Sequence, residues 1–188
     1  MITAPVFAQL TGDTSIEGSL DVGGKVMISN GSEVPLFIGP TVSTPTGVTT
    51  GEFFVGNDGV LYVYDGVRSK WLSVDSGWIG GGRNNANQGV GYLRAFNGNT
   101  MSASVGYVMP RNGTIVAMSV ARTDTDSVTW QVHANGAYLT GATITTSAVR
   151  DYVDSLNVDF SAGQTLAIYQ SSGTSGYPNV TVWYRWRR

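Results

Sequence analysis

Apolar and polar residues alternate in short runs along most of this chain, the pattern of half-buried β-strands. Val128, Trp130 and Val132 share one parity against Thr129, Gln131 and His133. Leu156, Val158 and Phe160 do the same against Asn157 and Asp159. Runs of this kind predict strands over 91–96, 104–109, 114–121, 127–134, 143–146, 155–160, 164–170 and 179–187. About eight antiparallel strands with short turns predict a sandwich or jelly roll, in which two sheets bury their inner faces together. One helical turn is expected, over 146–152.

Upstream, Phe53-Phe-Val55, Val60-Leu-Tyr-Val-Tyr64 and Lys70-Trp-Leu-Ser-Val74 are separated by Asn57-Asp-Gly59 and Asp65-Gly66. Asn/Asp-Gly between apolar runs is a hairpin signal, so this stretch reads as a small β-meander. Nearer the start, Ile16, Leu20 and Val22 share one face with Gly18, and Val26 and Ile28 continue after Gly23-Gly24. A hairpin this small is marginal in water and needs a second sheet on its apolar face. Copies of the same segment from other subunits would supply one, which predicts short intertwined strands in a homotrimer. Between these zones, residues 39–51 are rich in Pro, Thr, Ser and Gly and read as an extended linker. The expected organisation is therefore 1–51 as an attachment or shaft-like segment with its linker, 52–77 as the meander and 78–188 as a globular head. Gly80-Gly-Gly82 reads as a hinge between the last two.

The final strand is apolar on both faces. Val180, Val182, Tyr184 and Trp186 point one way, while Thr181, Trp183 and Arg185 point the other. One parity fills a core; the other still presents a Trp and an Arg. Subunit association is the expected use of that second surface, and a central strand with Trp183 under a loop is the competing reading. The expected trimer contacts are thus Ile16, Leu20, Val22, Trp183 and Arg185.

Composition narrows the function. Charged residues are 13% of the chain and its net charge is −2, so no basic surplus exists for nucleic acid or an anionic membrane. No apolar run is long enough to suggest membrane insertion. Cysteine is absent, which excludes disulfides, thiolate catalysis and Cys-based zinc sites. The first ten residues lack the basic and apolar regions of a secretory signal, so release by lysis is the expectation if the protein works outside a cell.

Chemistry is thinly represented. The single His133 lies on the polar parity of its strand and reads as a surface residue. Asp124 with Asp126, and Asp151 with Asp154, are the carboxylate pairs that glycoside hydrolysis would need, but they fall in expected turns where Asp bonds its own backbone. No catalytic residue, metal ligand or cofactor is assigned. Asp124-Thr-Asp126 and Asn57-Asp58 offer oxygen ligands without a calcium-loop pattern. Sugars stack on aromatic rings, and Tyr138 and Tyr177, both in expected turns, are the candidate contacts to a host-surface glycan.

Residues 14–28 resemble the Gly-punctuated β segments of bacteriophage fibre shafts. Gly59-Val-Leu-Tyr-Val-Tyr-Asp-Gly66 with Lys70-Trp71 is similar to a small motif of phage tail-fibre and structural proteins. The head resembles the trimeric C1q/TNF-like jelly rolls carried on fibres, through Val108-Met-Pro-Arg-Asn-Gly-Thr-Ile115, Trp130-Gln-Val-His-Ala-Asn-Gly136, Val158-Asp-Phe-Ser-Ala-Gly-Gln-Thr-Leu166 and the closing aromatic strand. The resemblance implies a non-enzymatic homotrimer on the virion, made in the host cytoplasm. Its N-terminal region would be held by other virion proteins, with a distal head for host attachment. Two other roles are compatible with the residues: a capsid-decorating protein without a receptor, and a polysaccharide-binding or polysaccharide-degrading protein.

Overall fold

A computed structural model describes residues 40–41, 43–47, 49–83 and 86–188. The expected intertwined strands, with Ile16, Leu20 and Val22, lie outside the described residues. Among those described, every regular element is a strand. The first four are β1 (Pro40–Thr41), β2 (Phe53–Gly56), β3 (Leu61–Asp65) and β4 (Lys70–Gly82). Three short ones follow: β5 (Asn87–Gln88), β6 (Gly91–Tyr92) and β7 (Tyr107–Val108). Next come β8 (Gly113–Ala121), β9 (Val128–Ala134), β10 (Ala137–Thr146) and β11 (Arg150–Val153). The series ends with β12 (Val158–Phe160), β13 (Thr165–Ser172), β14 (Ser175–Gly176) and β15 (Asn179–Arg187).

From β4 onward, strands pair from the outside of the sequence inward. β4 lies antiparallel to β15, β6 and β7 to β13, β8 to β11 and β12, and β9 to β10. The β15–β8 and β13–β9 contacts then join these pairs into two sheets. The larger runs β1-β2-β3-β4-β15-β8-β11, with β12 also on β8; the smaller runs β10-β9-β13-β6, with β7 also on β13. The short β5 and β14 pair with each other. Apart from the parallel β1–β2 contact, all pairing is antiparallel, and the architecture is that of a β-sandwich.

The core is built from the parities read above. Val128, Trp130 and Val132 of β9 meet Ile115, Met118 and Val120 of β8, Val180 and Val182 of β15, and Leu166 and Ile168 of β13. Trp130 is fully buried. Removing roughly 250 Å² of indole from water is worth about 6 kcal/mol at ~25 cal/mol per Å². That exceeds the ~1–3 kcal/mol cost of its Nε1–H, which finds no partner. Arg122, 4% exposed, lies over the same ring at 5.5 Å. Its guanidinium donates to the carbonyls of Ala148, Thr146 and Asp126 and pairs with Asp124.

The meander is the sequential β2–β3–β4 set, with Phe54, Tyr62 and Trp71 as its own small aromatic core. Residues 43–47 are irregular, as a linker would be, yet they are held: the Trp71 indole donates to the Pro45 carbonyl at 2.8 Å. Arg68 and Lys70 tie the meander to the sandwich. Arg68 donates to the carbonyls of Leu156, Asp154 and Val116, and Lys70 pairs with Asp159 at 2.6 Å.

Three expectations need correction. Gly80–Gly82 is no hinge but the end of β4, in register with Asn179, Val180 and Thr181 of β15. β4 accordingly runs unbroken through residue 77, where the sequence suggested a boundary. No helical turn occupies 146–152; residues 150–153 are β11, paired with β8. Tyr138 is not in a turn. Asn135 and Gly136, at φ of 50° and 86°, complete the β9–β10 turn by themselves, and strand resumes at Ala137.

Candidate functional site

The outward face of the larger sheet carries the candidate surface. Register places Trp183 beside Trp78 of β4 on one side and Ala117 of β8 on the other. The next row holds Gly80, Thr181, Ser119 and Tyr152. Phe96, from the loop after β6, lies over Gly80, where a Cβ would come within 2.5 Å of its ring. The ring meets Trp78 edge-on at 5.2 Å. Tyr107 supports it from below, its hydroxyl donating to the Gly80 carbonyl at 2.8 Å. Trp183 is half-buried, but Trp78 is 57%, Phe96 63% and Tyr152 71% exposed. Exposed apolar patches larger than a few hundred Å² are rare on monomeric proteins.

Arg185 behaves differently from Trp183. Its Nε donates to the Ser73 carbonyl at 2.6 Å and its Nη2 to that of Leu72 at 3.3 Å. Burial holds it below the usual guanidinium range, and neighbouring Arg68 adds to this while Asp65 opposes it. The guanidinium is thus engaged in binding β15 to β4 within the subunit.

At the Gly82 end of this face lies a hollow of about 520 Å³, lined by Gly82, Arg83, Arg94, Phe96, Tyr177 and Asn179. Arg83 is fixed from two sides: its amide donates to the Pro178 carbonyl, and its Nη1 donates to Oε1 of the buried Gln88 at 3.0 Å. Arg94 is anchored by a two-way backbone bridge to Gly82, with both bonds at 2.9 Å. Its side chain is exposed and has no partner among the described residues. Tyr177, 49% exposed, occupies the left-handed region at φ 45° between β14 and β15. A non-glycine residue there carries local strain. A second hollow adjoins across Asn179, bounded by Ser119, Arg150, Tyr152 and Thr181.

The smaller sheet presents a different outer face. Tyr92, Tyr169 and Gln131 align across β6, β13 and β9, with His133 and Tyr138 in the next row. His133 stacks on Tyr169 at 4.7 Å and meets Tyr92 edge-on at 5.6 Å. Burial lowers its pKa, and a backbone hydrogen bond at Gly136 offsets this only in part. Neutral imidazole suits the site: the Tyr92 hydroxyl lies 3.3 Å from Nδ1, and Gln131 Oε1 lies 3.4 Å from Nε2. Tyr138, 37% exposed, also accepts from the Gly141 amide through its hydroxyl.

The chain matches no protein-family model and no curated protein.

What the surfaces can do follows from their groups. Neither a serine nor a carboxylate is among the hydrogen-bond partners of His133. Asp124 is engaged by Arg122 and the Gly176 amide, and Asp151 accepts from the Tyr152 amide. No cluster of three metal-ligating side chains occurs among the described residues. Of the sequence candidates, the structure brings Trp183 and Tyr177 to the same sheet face and puts Tyr138 on the opposite one. Trp78, Phe96, Arg83 and Arg94 had not been singled out. A usable signal existed for Trp78, which with Ile79 forms an apolar pair between glycines in Gly77-Trp-Ile-Gly80.

Proposed function

We propose that this chain is a non-enzymatic virion structural protein: a homotrimeric phage fibre whose sandwich is a jelly-roll head of the C1q/TNF-like kind, exposed for attachment to the host surface. Its N-terminal region would join other virion proteins. The outside-in pairing of strands supports the jelly-roll assignment, since nesting first with last, second with seventh and so on is what rolling up one long hairpin produces. The observation that carries the trimer is the open aromatic face, where Trp78 and Phe96 stand more than half exposed beside Trp183 on the sheet holding the terminal strand. Rings of this size lose water-exposed area when packed against a second copy, and the larger the area removed, the stronger the association.

Sedimentation velocity on the full chain tests the assembly. A species of three times the 19.9 kDa chain mass is expected at micromolar concentration, and a monomer there refutes the reading. Adsorption of the labelled protein to host cells, compared with non-host cells, tests the attachment role.

A further inference from the structure

We infer that the hollow between Arg83, Arg94 and Tyr177 binds an acidic sugar unit, a saccharide bearing a carboxylate or phosphate group. The inference rests on the reading of this domain as a host-attachment head and supplies the chemistry that the head would recognise.

Charge is the first argument. The whole chain is slightly acidic at −2, yet the residues lining this hollow include two arginines and no acid. Arg150 adds a third cation in the adjoining hollow, where Asp151 is the lone acid and already accepts from the Tyr152 amide. Guanidinium groups present paired donors that match the oxygens of a carboxylate or phosphate. Arg83 is preorganised for this by the buried Gln88, and the exposed Arg94 side chain, on a backbone bridged to Gly82, has no partner among the described residues.

Shape and the uncharged groups supply the second argument. At about 520 Å³ the hollow falls within the ~300–1,000 Å³ range of small-ligand sites. The Tyr177 ring can receive the C–H face of a sugar, and the exposed Asn179 amide can serve its hydroxyls. A nucleic-acid backbone needs a track of cations along its length, whereas here they converge on one depression. The strain at Tyr177 fits the same purpose, because its left-handed backbone holds a ring at the rim where glycine would cost nothing.

Calorimetric titration of the full-length protein with three probes tests the inference: oligogalacturonate, a glycerol-phosphate oligomer and an uncharged dextran oligomer. At least one acidic probe should bind, more weakly as salt rises, and dextran should not. Binding of oligogalacturonate alone would assign the acidic group as a carboxylate, and binding of the phosphate oligomer alone would assign it as a phosphate. Arg94→Gln should weaken the acidic probe about tenfold, and Tyr177→Gly should weaken it while leaving the thermal melt unlowered. Tyr138→Ala, on the opposite sheet, should change nothing. Equal binding of dextran, failure of both acidic probes, or full affinity in R94Q with an unaltered melt would overturn the inference. Host-cell adsorption separates the two levels. Wild-type protein that adsorbs to cells as strongly as R94Q leaves the attachment role standing and removes the hollow from it; absence of wild-type adsorption removes the role itself.

Discussion

Replacing Trp78 by serine tests the proposed association face separately from the fold. The side chain is 57% exposed and absent from the core cluster, so the monomer has little to lose. An indole of roughly 250 Å² exposes about 140 Å² at this position, worth ~3.5 kcal/mol if packing against another copy covers it fully at 25 cal/mol per Å². Three copies would lose on the order of 10 kcal/mol from the assembly. A trimer stable at nanomolar concentration would then dissociate in the micromolar range or above. Mass photometry at nanomolar concentration and sedimentation at micromolar concentration bracket this shift. Melting of the W78S subunit, followed by near-ultraviolet circular dichroism, confirms that the sandwich persists. If W78S keeps the wild-type mass across the whole concentration range, the exposed ring plays no part in assembly and the argument from the aromatic face is wrong.

Other outcomes follow from single contacts. Arg122→Met removes a buried guanidinium whose partners include three carbonyls and Asp124; it should cost ~3 kcal/mol and lower Tm by roughly 10 °C, and a loss below ~1 kcal/mol would dismiss the latch. Gly77→Ala brings a methyl within 2.4 Å of the Tyr184 ring; scanning calorimetry should register ~1–3 kcal/mol of overpacking. Stability should fall on acidification in two stages. Burial holds His133 below the usual imidazole range, so the unfolded chain binds the proton first and stability declines as pH drops through ~6.5. His133→Gln should flatten that first stage in urea titrations between pH 7.5 and 5. Burial pushes the Asp159 carboxyl up, but hydrogen bonds from Lys70 and Thr114 and the charges of Arg187 and Lys70 outweigh it and leave it lowered. Its contribution is therefore present above pH ~4 and lost below, and Asp159→Asn should blunt this second stage.

Where alternation was strict, the sequence revealed the fold. β9 could be read residue by residue, because a two-residue period sends Val128, Trp130 and Val132 inward whatever sheet they join. The glycine triplet was misread for the opposite reason. Gly80 and Gly81 leave room for Phe96 and Met101, and Gly82 lets the Pro178 carbonyl approach; those neighbours come from distant segments and leave no trace beside the glycines. Tyr138 was displaced into a turn because composition marks a turn's presence but not its length, which the positive φ angles at Asn135 and Gly136 set. The arginine hollow was illegible altogether. Arg83, Arg94 and Tyr177 meet only because β4 is bridged to residue 94 on one flank and bonded to Pro178 on the other.

The continuity of β4 has a mechanical consequence. A pull applied at residues 43–47 would reach β4 by way of the Pro45–Trp71 bond and the meander. β15 is laced to β4 from Leu72–Arg187 to Gly82–Asn179, with bonds that cross perpendicular to the strands. A pull along β4 therefore loads those rungs in shear and together, instead of peeling them one at a time. β4, the longest strand among the described residues, serves as a tie-rod, and a load on it is spread over the sheet that carries Trp183.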